Sequence, residues 1–136
     1  MKKSSPIIID SSVIYSIASS DDSNHQKAQE ISNRLFKDKR TIIMPEDVFS
    51  ETLNIIGKKL GREKQFDVAK DLLSGIFLII ESNEKIRSCA AEKLKKIAGS
   101  VSYTDCAVMA FADEYQTKEI LGFDEVFGKQ GYKLPE

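Results

Sequence analysis

Ile7-Ile8-Ile9-Asp10-Ser11-Ser12-Val13-Ile14 is the stretch on which the fold turns. An apolar run of strand length stops at a carboxylate, and a second apolar pattern starts behind two hydroxyl residues, so the segment reads as a short buried strand breaking into a helix at Asp10. In open parallel α/β sheets the crevice outside the carboxyl ends of the strands is where ligands bind. Asp10 therefore stands where chemistry is expected, and a carboxylate there is a hard oxygen ligand suited to Mg2+ or Mn2+.

Outward from this point, apolar runs alternate with helical patterns. Strands are expected at Ile7 to Ile9, Thr41 to Met44, Ile76 to Ile80 and Glu119 to Leu121. Helices are expected from Asn24 to Phe36, with Ala28, Ile31, Leu35 and Phe36 on one face, and from Glu46 to Leu60, with Phe49, Leu53, Ile56 and Leu60 on another. Gly61 closes the second, and Lys64 to Leu73 follows at once as the other arm of a helical hairpin. Another helix runs from after Asn83 to Ile97, and Ser102 caps one that extends to about Tyr115. This alternation predicts an α/β fold with a central parallel sheet flanked by helices. There is no repeat, low-complexity tract or interdomain linker.

A chain of 136 residues is expected to form one domain with a real core. Twenty Lys and Arg against 21 Asp and Glu give no overall basic field, so any nucleic-acid contact has to come from local patches. Cys89 and Cys106 form no close pair and His25 is the one histidine, so zinc-ligand spacing is absent and a reduced, cytoplasmic setting is expected. Met1 to Pro6 looks like the charged start of a signal peptide. The apolar run behind it is only Ile7 to Ile9, too short for a signal core or a membrane span.

Three further acids stand at segment borders, as Asp10 does. Glu51 lies three residues after Val48 and four before Ile55, on the edge of an apolar helix face, where glutamates are usually solvated. Asp105 shares the inward side of its helix with Val108, Met109 and Ala112, so it gains from the helix dipole and loses hydration. Asp124, in Gly122-Phe123-Asp124-Glu125-Val126-Phe127, has an ordinary explanation as a turn residue, as Asp10 has as a helix cap. Taken together the four are more informative, because clustered carboxylates repel one another unless a cation intervenes. A site of this kind can hold one or two divalent ions and promote in-line displacement at phosphorus without a histidine base or a serine nucleophile.

In order, Ile7-Ile8-Ile9-Asp10-Ser11-Ser12, Pro45 to Leu53 with Glu51, Ser102-Tyr103-Thr104-Asp105-Cys106-Ala107 and Phe123-Asp124-Glu125-Val126-Phe127 resemble the acidic motifs of PIN-domain nucleases. His25-Gln26-Lys27-Ala28 is similar to the start of the second helix in the compact VapC-type toxins. The resemblance spans nearly the whole chain. It implies a PIN-like three-layer sandwich over residues 1–136 with a five-stranded parallel sheet, and a Mg2+- or Mn2+-dependent ribonuclease. It also implies an RNA substrate, a small antitoxin partner and a homodimer. Carried residue by residue, it makes Asp10, Glu51, Asp105 and Asp124 the metal and catalytic acids, with Ser12 and Thr104 as auxiliary hydroxyls. Many relatives have Thr or Ser two places before the fourth acid, where this chain has Gly122.

Two other folds that place acids at strand ends fit less well. A phosphotransfer receiver wants an early acidic pair where Asp10 stands alone, and a haloacid-dehalogenase-like phosphatase wants a second Asp where Ser12 stands. A housekeeping PIN nuclease and a non-catalytic PIN scaffold are the alternatives within the resemblance. Lys58, Lys59, Arg62 and Lys64, and Lys93, Lys95 and Lys96, are solvated helix faces or phosphate contacts. Cys106 is expected to be a small buried hydrophobe, and His25 a surface or capping group. Phe49, Phe66, Phe77, Phe111, Phe123 and Phe127 are core candidates.

Overall fold

The computed structural model describes residues 5–136; the first four residues of the lysine-containing opening lie outside them. Four short strands, β1 (Ile7–Ile9), β2 (Ile42–Pro45), β3 (Leu78–Ile80) and β4 (Ile120–Leu121), form one parallel sheet in the order β3-β2-β1-β4. Among the described residues seven helices accompany the sheet: α1 (Ser11–Ala18), α2 (His25–Lys37), α3 (Glu46–Leu60), α4 (Arg62–Leu72), α5 (Glu84–Lys96), α6 (Tyr103–Glu114) and α7 (Glu125–Lys129). The sheet is the expected parallel one, and its two inner strands are fully buried. That burial is why β1 and β2 read as unbroken apolar runs without polar alternation.

The five strands implied by the resemblance are four here. The segment after α7 approaches the outer edge of β4 but makes only the single parallel bridge Glu119 to Lys133. Pro135 follows two residues later and has no N–H with which to extend the ladder. At the opposite edge, β3 is half-exposed and begins two residues later than the apolar run, because Ser74 to Phe77 form a turn around Gly75 at φ 101°.

α6 is the central helix. Cys106 through Ala112 are all buried, so it is apolar around its circumference, as a helix enclosed on several sides must be. It contacts β1, β2 and β4 and is covered by α5. Phe111 and Phe127 are buried, as expected, while Phe49, Phe77 and Phe123 are half-buried. Phe66 is 62 % exposed, which corrects its placement in the core: it projects from α4 with Lys70 over its ring. Cys106 is a buried free thiol. The Nδ1 of His25 lies 2.8 Å from the carbonyl of Ser16, tying the start of α2 to α1. No helix among the described residues is long and apolar enough to cross a membrane.

An ion pair fastens the far side of the sheet. Arg40, just before β2, meets Glu119, just before β4, at 2.5 Å with both side chains almost wholly buried. The other Glu119 oxygen accepts from the backbone of Glu136, and Arg34 donates to the carbonyl of Pro135, so the C-terminal segment is held by the same region. Replacing Arg40 removes one charge-assisted hydrogen bond from the buried Glu119 carboxylate. Arg40→Ala is therefore expected to destabilise the fold by about 1.5–3 kcal/mol in denaturant unfolding; a change below about 1 kcal/mol would show that the pair is solvated in solution.

Candidate active site

All four acids identified from the sequence line one open cleft of about 720 Å³ at the carboxyl ends of the strands. β1 lies between β2 and β4: the chain passes from β1 to β2 and β3 on one side and then returns to place β4 on the other, so the crevice opens at the switch point of the sheet. Asp10 closes β1 and caps α1. Asp124 follows β4 and caps α7, accepting from the Val126 amide at 3.0 Å. Asp105 is the third residue of α6, in a reciprocal capping box with Ser102. Glu51 comes from the second turn of α3 and accepts a 2.7 Å hydrogen bond from the Ser11 hydroxyl.

The helix-cap explanation of Asp10 accounts for only one of its oxygens. Oδ2 accepts from the Ser12 hydroxyl at 3.1 Å and, at 3.5 Å, from its amide. Oδ1 is buried with no hydrogen-bond partner. A carboxylate oxygen stripped of water and left unpaired is costly, and such an atom calls for an explanation in a ligand or ion. Burial, reinforced by the charge of Asp105, pushes the Asp10 carboxyl up to about 6, against the Ser12 hydroxyl and the backbone amides that favour its charged form. Burial also raises Asp105, and the charges of Asp124 and Glu51 add to it. The four acids thus act on one another electrostatically. Among the described residues, however, no three His, Cys, Asp or Glu side chains already form a metal cage. Mutual repulsion favours an open arrangement, and Mg2+ sites commonly retain several waters between ion and protein.

Of the two auxiliary hydroxyls, Ser12 lines the cleft and also accepts from the Phe123 amide at 3.1 Å, joining the turn after β4 to α1. Thr104 does not line it. Ser11 and Ser102 do, and both hold an acid in place. Ser11 sits in the sequence motif beside Ser12, but only the packing of α1 on α3 shows that it faces Glu51. Tyr15, Ile55, Lys59, Val101 and Phe123 also form the walls. The spacing of Ser11 and Tyr15, one helical turn apart, was the available signal for a shared face.

Gly122 has a steric reason. A Cβ built there would lie 2.9 Å from the Cβ of Asp10 and 2.8 Å from the Phe127 ring. The backbone after β4 runs so close to Asp10 that a Thr or Ser at this position would have to displace it or the ring. Lys93 is neither a free surface charge nor a phosphate contact. It pairs with Asp113 at 2.8 Å and with the Tyr132 hydroxyl, away from the cleft.

Comparison with known proteins agrees with this architecture. Mycobacterium tuberculosis VapC20, a toxin that cleaves the sarcin-ricin loop, has a solved structure that superposes with a TM-score of 0.83 at 20 % identity, covering 96 % of this chain and 98 % of that one. At that identity the likeness is one of fold. No curated protein sequence matches significantly. The model of the PIN domain matches residues 7–131, from the first strand through the helix behind the fourth acid, and the chain belongs to the PIN-domain family.

Proposed function

We propose that this protein is a divalent-metal-dependent endoribonuclease of the VapC type, silenced by a small antitoxin protein. The single observation that carries the reading is the buried, unpaired Oδ1 of Asp10 in a cleft shared with Glu51, Asp105 and Asp124. An oxygen donor set of this kind fits Mg2+, with Mn2+ as substitute, and offers no soft ligand. Asp10, Glu51 and Asp105 are the residues that hold the ion, and Asp124 supports the site from the rim. Bound there, a divalent cation supplies positive charge for a phosphodiester under attack by water. The protein's own contribution is placement: Ser11 fixes Glu51, Ser12 fixes Asp10, and Ser102 fixes Asp105. The N-termini of α1 and α6 temper the repulsion among the acids. The PIN family membership and the fold shared with a toxin that cleaves RNA support the same reading.

The partner belongs to this proposal. A guanidinium from an antitoxin pairs with carboxylates and occupies the space that metal and phosphate need. Apolar anchoring is on offer at the helical hairpin, where Ile17, Phe36, Val68, Leu72 and Ile76 line a groove of about 310 Å³ and Phe66 is exposed on α4. Homodimerisation and a cytoplasmic location are part of the reading on the family resemblance alone.

Asp10→Asn and Asp105→Asn are each expected to lower metal-dependent cleavage of RNA by at least 1,000-fold, on the order of losing a preorganised electrostatic group, with the circular dichroism spectrum unchanged. Undiminished cleavage by both purified variants would falsify the assignment.

A second expectation concerns pH in the metal-free protein. The folded pKa of Asp10 is raised from 3.8 to about 6, so the stability this group confers is fully present below pH 3.8 and is lost as pH rises through about 6. Relative to Asp10→Asn, the wild-type protein should lose about 2 kcal/mol of unfolding free energy between pH 4 and 7, and Mg2+ or Mn2+ should restore stability to the wild type alone. A pH-independent difference between the two proteins contradicts the burial of this charge.

Co-expression with the neighbouring small reading frame is expected to yield a stoichiometric complex without nuclease activity, and cleavage should return when the partner is stripped away. Full activity in a stable complex excludes inhibition at the acids. The absence of any partner points instead to a housekeeping nuclease.

A further inference from the structure

We propose that two lysine-covered aromatic rings, Tyr15 with Lys59 and Phe123 with Lys27, are base-stacking subsites beside the four acids, each taking an unpaired base of the RNA strand that crosses the cleft. The proposal rests on the ribonuclease reading above and adds what lies beside the acids. In each pair the ammonium stands 5.2 Å from the ring centroid. Among the described residues five lysine–ring contacts occur, and only in these two does the ring line the acid cleft.

Tyr15 stands on α1 and Phe123 in the turn after β4, and both line the cleft. Ser11 and Tyr15, one turn apart, face α3: Ser11 bonds Glu51 and Tyr15 lies under Lys59. Ser12 and Ser16, also one turn apart, lie about 100° further round the helix: Ser12 accepts from the Phe123 amide, and Ser16 bonds Asp22 while its carbonyl meets His25 at the start of α2, which carries Lys27. Both rings share this cleft with the four acids. Behind Phe123 a second cleft of about 510 Å³ is lined by Lys27, Lys129 and Lys133 together with Asp124 and Glu125, Lys129 and Lys133 being paired with Glu125 and Glu136, so Lys27 is the lysine left to meet a phosphate beside this ring.

A lysine parked on a ring does not block it. An exposed cation–π contact favours the parked state by about 2- to 5-fold, whereas a nucleobase stacked on an aromatic side chain gains about 5- to 150-fold. The base wins the ring face, and the displaced ammonium remains within reach of the backbone phosphate that arrives with that base. Near-neutral overall charge is consistent with such a site: four carboxylates repel the strand at the centre, and binding has to come from the flanks.

The test is binding of a fluorescein-labelled 12-nucleotide oligo(U) and of an abasic ribose-phosphate strand of equal length to the full chain, by anisotropy in chelator, so that nothing is cleaved. The wild-type protein is expected to prefer oligo(U) about tenfold. Tyr15→Leu and Phe123→Leu, which keep apolar volume against the core, should each lower that preference at least threefold, and Tyr15→Phe should retain it. Lys27→Ala and Lys59→Ala should weaken both strands alike and reduce the salt slope by about one each. Equal affinity of the wild type for the two strands, absence of RNA binding, or full base preference in both leucine variants overturns the proposal. Cleavage of RNA by the wild type in Mn2+ is measured separately: if it occurs while the binding pattern fails, the nuclease reading stands and the stacking subsites do not.

Discussion

A carboxylate buried at the end of the central strand is the constraint to which the rest of the structure answers. β1 is enclosed by β2 and β4 on its edges, and its three isoleucines are fully buried. The chain cannot carry Asp10 to solvent without unmaking the core around Ile7 to Ile9, where each side chain contributes roughly 1.5–3 kcal/mol. Asp10 is 4 % exposed and has one oxygen with no partner. That unfavourable state is tolerated because the core that imposes it is much stronger than the penalty.

The surrounding elements manage the charge. The Ser12 hydroxyl bonds Asp10 and the Ser11 hydroxyl bonds Glu51, while the backbone N–H of Ser102 donates to the Asp105 carboxylate and its hydroxyl accepts from the Asp105 amide, so three serines each hold one acid. The N-termini of α1 and α6 bring backbone N–H groups toward the same cleft, which lowers the cost of collecting negative charge. Gly122 lets the turn after β4 pass against Asp10, bringing Asp124 to the rim; any side chain there would push the two apart. Ser12 reaches across to the Phe123 amide and holds that turn to α1. The cleft is therefore set by contacts among segments remote in sequence, each anchored to a strand or helix end.

The opposite end of the sheet is built by a different means. Arg40 and Glu119 neutralise each other under cover, and Tyr132 is held by Asp113 at 2.7 Å and by Lys93. These polar clusters secure the C-terminal segment. They leave the acid cleft as the place where like charges gather without an internal counter-ion at hydrogen-bond distance. Stability and chemistry are thus divided between the two ends of the strands, the usual division in parallel α/β folds.

Much of this was legible in the sequence. The isoleucine run at 7–9, the apolar stretches near 42–44 and 78–80, and the caps Ser102 and Gly61 placed the strands and helices to within a few residues, because period, length and capping chemistry are local properties. The positions of the four acids at segment ends were legible for the same reason. Which hydroxyls orient them was not: Ser11 and not Thr104 lies in the cleft, a result of how α1 packs on α3. The fourth strand became the sheet edge because the segment before Pro135 makes only one bridge, and Phe66 lies outside the core because α4 turns that face to solvent. Lys93 was drawn into an ion pair by Asp113 on a neighbouring helix. Local sequence determined elements and their ends; the tertiary structure alone decided which ends meet, since that depends on packing between residues 40 to more than 100 positions apart.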